Sequence, residues 1–182
     1  MRGVEGSGAA AYFSVFDQLI LEDPPFFTFH LRSRRPPLDP VNALLSFAYS
    51  LLAHDCAAAL ESSGLDPYMG FLHRDRPGRT FLALDLMEEL RPCMADRFVL
   101  TAINNRIFKL SDFDCRGNGG VYLSDAARRV FLQRWQERKK DLLTHPFLGE
   151  KIPWGLVPCL QALLPARYLH GDLDEYPPFL WK

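Results

Sequence analysis

The 182-residue sequence predicts an all-α fold: a compact helical domain of about five main helices, with at most one short β-hairpin near 112–123. Three observations predict it. Apolar residues recur at helical spacing in five separate stretches. Start and stop residues bracket those stretches. Strand-like alternation is confined to one segment, FDCRGNGGVYLS, whose Gly117, Gly119 and Gly120 suit a short hairpin or a mobile loop.

The first helix is expected from about Ser7 to Leu21, with Ala10, Phe13, Phe16 and Ile20 at helical spacing. The stretch EDPPFFTFHLRSRRPP follows, and its four prolines make residues 22–38 a connection. Asp39 before Pro40 is a start signal, an N-cap with proline at the first helical position. The helix it opens runs to about Ser63 and stops at Gly64. A third helix covers roughly Thr80 to Arg91, and Pro92 kinks it before a further run to about Phe108. Ser124 caps a helix to about Leu143. The last helix runs from about Pro153 to His170, ends at Gly171 and leaves a tail, residues 171–182. The aromatics of YPPFLWK in that tail can pack only against something already folded.

The second helix is apolar on most sides, which makes it central. Asn42, Ser46, Tyr49 and Ser50 form one uncharged polar stripe along it, read either as a solvent-facing edge or as the lining of a cleft. No apolar run reaches the roughly 18 to 20 residues of a membrane span, and MRGVEGSG is not a signal peptide. Apolar residues make up 48% and charged residues 24%, a composition of globular rather than disordered chains. Cys56, Cys93, Cys115 and Cys159 form no C-x-x-C pair, which argues against a zinc knuckle and suits a reducing cytoplasm.

Net charge is −1, but the charges are segregated. Arg32, Arg34 and Arg35 cluster, as do Arg74, Arg76 and Arg79, and Arg128 to Lys140 holds six basic residues against the single acid Glu137. Acids gather at Asp85, Glu88 and Glu89 and in the tail. This suits a site that combines metal-binding carboxylates with phosphate-binding arginines, but on charge alone an ordinary surface is the favoured reading.

The most suggestive stretch is GFLHRDRPGRTFLALDLMEELRP, residues 70–92. His73 stands in an arginine-rich loop. Asp85, Glu88 and Glu89 fall at i, i+3 and i+4, so Asp85 shares a face with either glutamate. A carboxylate on a mostly apolar helix is costly unless paired or bound to a cation. Carboxylates alone suit Mg²⁺, and adding an imidazole shifts the preference toward Mn²⁺. A surface-exposed acidic helix end and a turn-capping histidine are the plain alternatives. No serine-hydrolase elbow, P-loop or G-x-G-x-x-G is present.

The strings RGVEGSGAAAYF, RSRRPPLDPVNALLSFAYSLL and GLDPYMGFLHRDRPGRTFLALDLMEELRP resemble the core integrase of CRISPR spacer acquisition, the "Cas one" family. The ending THPFLGEKIPWGLVPCLQALLPARYLHGDLDEYPPFLWK resembles the version found with type I-C systems. The resemblance implies Glu5, His73 and Glu88 as metal ligands for Mg²⁺ or Mn²⁺, and Asp85 as a second acid near the site. It puts Arg76 where the family tends to carry a basic residue near DNA, beside Arg74 and Arg79. It implies an endonuclease and integrase that joins spacer DNA to the repeat array by transesterification. Its partners would be double-stranded and branched DNA, the small second core CRISPR adaptation protein and, as a homodimer, a second copy.

Family members carry a β-rich domain ahead of the helical one, whereas Glu5 almost begins this chain. The resemblance is therefore to the C-terminal helical domain, expected to fold alone with weak metal affinity and little or no integration activity. Two other functions compete with the enzyme: a non-catalytic DNA-binding or protein-interaction module, and a plain helical structural domain.

Overall fold

The computed structural model describes residues 2–21, 27–71 and 78–181, with side chains from residue 6 onward. The order of elements is α1 (Arg2–Ser14), α2 (Pro40–Ser62), α3 (Phe81–Arg91), α4 (Arg97–Asn104), β1 (Phe113–Cys115), β2 (Val121–Leu123), α5 (Asp125–Arg138), β3 (Leu142–Thr144), β4 (Lys151–Pro153) and α6 (Val157–His170). The class is all-α, as the sequence predicts, with two short antiparallel ladders, β1–β2 and β3–β4.

Local signals set most of the boundaries. Asp39 accepts the N–H of Asn42 at 2.7 Å, satisfying an otherwise orphaned donor of the first turn of α2. Ser124 accepts the N–H of Ala127 at 3.3 Å and caps α5. Gly64 and Gly171 both adopt left-handed conformations, at φ 76° and 84°, and the N–H after each closes its helix with a bond to the carbonyl five residues back. Pro92 lacks the N–H an α-ladder needs, and residues Pro92–Asp96 continue from α3 to α4 as a π-helical segment.

The structure differs from the sequence reading in four places. α1 runs from Arg2 to Ser14 rather than from about Ser7 to Leu21, and a separate 3-10 turn covers Phe16–Leu19. α5 ends at Arg138 rather than near Leu143. The ladder β3–β4 is a second hairpin where at most one was expected; Leu143 faces Ile152 across it, and both are buried. Finally, α2 is long and apolar enough, by length and composition, to cross a membrane. Its buried residues Val41, Leu44, Leu45, Leu52, Cys56 and Leu60 make it a core helix.

Two compact units divide the chain: residues 1–48 with 96–134, and residues 49–95 with 135–182. In the first, Phe131 of α5 is fully buried, with the rings of Phe47 and Phe98 each 5.0 Å away and that of Phe108 at 6.0 Å. Gly120 is a close approach within it: a Cβ there would lie 2.7 Å from Tyr122 and 2.8 Å from Pro36. The polar stripe of α2 is neither a solvent edge nor a cleft at its start. Asn42 is fully buried and holds the backbone of Leu31 and Ser33, while Ser46 accepts a bond from Arg32.

In the second unit α3 packs on α6. The tail then folds back so that Phe179, 5% exposed, stands against the rings of His145 and Trp154. The expectation that these aromatics need a preformed surface is met.

Candidate metal centre

α3 is the element that organises the candidate site. Leu82, Leu86 and Glu89 fall at i, i+4 and i+7, one stripe of the helix. Phe81, Leu84, Asp85 and Glu88 form the neighbouring, half-buried face. The two adjacent glutamates are therefore separated by about 100° of helical turn and meet different surroundings.

Glu88 lies outward. Its Oε2 is 2.7 Å from Nη1 of Arg91, and its side chain keeps 29% of its exposure. Arg91 is itself buried and lies over the ring of Tyr49, 5.7 Å from its centroid. Asp85, three residues earlier on the same face, accepts the backbone N–H of Phe71 at 2.8 Å. Together with the bond from Leu82 N–H to the carbonyl of Pro67, this ties segment 67–71 back onto the start of α3. Arg79 is half-buried just ahead of α3.

Glu89 points the other way and is fully engaged. Its Oε1 accepts Nε2–H of Gln161 at 2.9 Å and the backbone N–H of Phe179, and its Oε2 accepts the Tyr176 hydroxyl at 2.5 Å. Burial pushes the carboxyl pKa up, opposed by the bonds from Tyr176, Phe179 and Gln161. Burial also pushes the Tyr176 phenol well above its usual range, so it stays a donor. Spacing alone leaves Glu88 and Glu89 equal partners for Asp85, and the resemblance points to Glu88; the bonds made by Glu89 set it apart. The signal that could have found this was its place on the apolar stripe of Leu82 and Leu86.

His145 adjoins this network through its ring contact with Phe179. Its Nδ1 accepts the N–H of Leu148 at 3.3 Å, which puts the proton on Nε2. Among the described residues, neither Nε2 of His145 nor Oε1 of Gln161 has a partner within hydrogen-bonding distance. Burial lowers the imidazole pKa, and Gln161 opposes that shift.

Of the expected ligands, Glu5 stands in the first turn of α1, within the first unit, and its side chain lies outside the described residues, as do His73, Arg74 and Arg76 entirely. Among the described residues no three His, Cys, Asp or Glu side chains gather to hold a metal ion.

The profile of the family described as CRISPR associated protein Cas1 matches residues 1–137. The chain belongs to the Cas1 family. It is 60% identical over all 182 residues to the protein named CRISPR-associated endonuclease Cas1 2 of Rhodospirillum rubrum, and covers 53% of that relative. The Chlorobaculum tepidum relative, named CRISPR-associated endonuclease Cas1 1, is 54% identical over the same span, again 53% of its length. The chain thus spans about half the length of these curated Cas1 relatives. Among solved structures it superposes on a casposase bound to integration product with a TM-score of 0.83 at 28% identity, covering 95% of this chain and 48% of that one.

Proposed function

We propose that this chain is the catalytic helical part of a metal-dependent Cas1 endonuclease and integrase that joins spacer DNA to a repeat array by transesterification in the cytoplasm. The observation that carries the reading is sequence identity of 60% along the whole chain to a protein named as a CRISPR-associated endonuclease. The likeness to a casposase bound to integration product supports the integrase half of it.

Glu5, His73 and Glu88 would hold Mn²⁺ or Mg²⁺, and the donor set fits: two carboxylates with one imidazole suit Mn²⁺ first and Mg²⁺ second. A divalent cation at that point would supply Lewis-acid charge to a phosphodiester. The residues around it have their own tasks. Asp85, through the N–H of Phe71, anchors the segment that leads to His73. The ion pair with Arg91 holds the Glu88 side chain on the half-exposed face of α3. Arg74, Arg76 and Arg79 would grip DNA phosphates, with guanidinium geometry matched to phosphate oxygens.

The small second core adaptation protein is the proposed partner. The solved structure of a partial Cas6-RT-Cas1–Cas2 complex superposes on the whole of this chain with a TM-score of 0.80 at 28% identity, over 52% of that chain. A homodimer and branched DNA complete the proposed assembly.

The test is Mn²⁺-dependent melting with branched-DNA binding and cleavage, for the wild type and Glu88→Ala. Mn²⁺ at about a hundred times its Kd should stabilise the wild type by about 2.7 kcal/mol. The variant should lose that stabilisation and Mn²⁺-dependent cleavage together, and still bind DNA. DNA binding by the wild type with no response to Mn²⁺ would leave a non-catalytic DNA-binding module. Neither response would leave a structural domain.

A further inference from the structure

We infer that Glu89, with Tyr176 and Phe179 of the C-terminal tail, forms a clasp that fixes α3 and so positions Asp85 and Glu88. The inference rests on the functional reading above for what α3 carries, but the clasp itself stands on geometry within the second unit.

Both oxygens of Glu89 are occupied by groups remote in sequence: the Tyr176 hydroxyl at 2.5 Å, Nε2 of Gln161 at 2.9 Å and the backbone N–H of Phe179. The same Nε2 also lies 2.8 Å from the Tyr176 oxygen and 3.4 Å from the carbonyl of Pro177. The tail is therefore bonded at Tyr176, Pro177 and Phe179, to one residue of α3 and one of α6. Phe179 fastens the other side, with its ring 5.4 Å from that of His145 and 6.3 Å from that of Trp154.

Two of these three donors belong to a segment with no helix or strand of its own. The anchor of this network is the residue next to Glu88. Any rotation of α3 about its axis that turned Glu88 would drag Glu89 out of three bonds. The carboxylate of Glu89 is thus a positioning group, and it is not available as a metal ligand in this arrangement.

The experiment uses the full 182-residue chain with Tyr176→Phe, which removes one hydroxyl and keeps the ring. Glu89→Gln, which keeps the shape but replaces one acceptor by a donor, is the second variant. Two quantities are read: Mn²⁺ affinity by titration, and amide hydrogen exchange along α3. Both variants should exchange α3 amides about tenfold faster, leave residues 125–134 of α5 unchanged, and bind Mn²⁺ about 10- to 100-fold more weakly, as when an outer-shell support of a metal ligand is lost.

Wild-type exchange rates in α3 of both variants would overturn the clasp. Faster exchange with unaltered Mn²⁺ affinity would overturn its positioning role. If the wild type bound no Mn²⁺, the functional reading would fail instead, and the exchange rates alone would decide the clasp.

Discussion

Asn42 shows how one buried amide can organise an irregular segment. Its Oδ1 accepts Nη1 of Arg32 at 2.7 Å and the N–H of Ser33 at 2.9 Å, while its Nδ2 donates to the carbonyl of Leu31 at 2.8 Å and to Asp39 at 2.6 Å. The chain from Leu31 to Ser33 makes no helix or strand, so its backbone groups depend on this side chain. Replacing Asn42 by Ala would leave a backbone N–H and carbonyl without partners at a fully buried site. Asn42→Ala should cost about 2 to 4 kcal/mol, read from the midpoint of urea unfolding. A loss below about 0.5 kcal/mol would mean that water replaces the amide.

At the scale of elements, α5 and the β3–β4 hairpin behave differently. α5 is held by packing: Phe131 is fully buried among three phenylalanine rings. Phe131→Ala should cost about 3 to 5 kcal/mol, and Phe131→Leu much less, since the cavity rather than the aromatic contact is the larger part.

The β3–β4 hairpin adds a titratable core group. His145 follows β3, is 1% exposed, and has its pKa lowered from 6.5 mainly by burial. A base whose folded pKa lies below its unfolded value adds stability that is fully present above pH 6.5. That stability declines as the pH falls from 6.5 toward the folded pKa, because the unfolded chain takes up the proton first. His145→Asn keeps an acceptor for the Leu148 N–H and removes the titration. The variant should therefore lose less stability than the wild type between pH 7 and pH 5, compared by thermal unfolding. Equal losses would show that His145 does not carry the effect.

At the scale of the whole molecule, charge governs the grip on DNA. Arg76, outside the described residues, lies three positions past His73 and is proposed to contact phosphate rather than bases. Arg76→Ala should weaken binding to all DNA sequences alike and reduce the slope of log K against log salt by about one unit. A change in sequence preference, or an unchanged slope, would speak against phosphate contact.

What the sequence determined by itself is what depends on neighbours along the chain. Asp39, Pro40, Gly64, Ser124 and Gly171 mark helix ends because capping involves groups within a few residues of each other. The five helical stretches followed from apolar spacing, and the family from strings spread over the whole chain.

The tertiary structure decided what depends on remote partners. Leu142 to Thr144 reads as the end of a helix, and only pairing with Lys151–Pro153 makes it a strand; Pro146 and Gly149 between two buried apolar positions were the faint signal. The stripe of Asn42 and Ser46 has the same local pattern whether it faces water, a cleft or a buried loop, and the loop turned out to be the partner. Glu88 and Glu89 are identical side chains on consecutive residues. One turns toward Arg91 three residues away, and the other is claimed by Phe179, 90 residues on. No spacing rule reaches that far, because the bond exists only after α6 and the tail have folded back against α3.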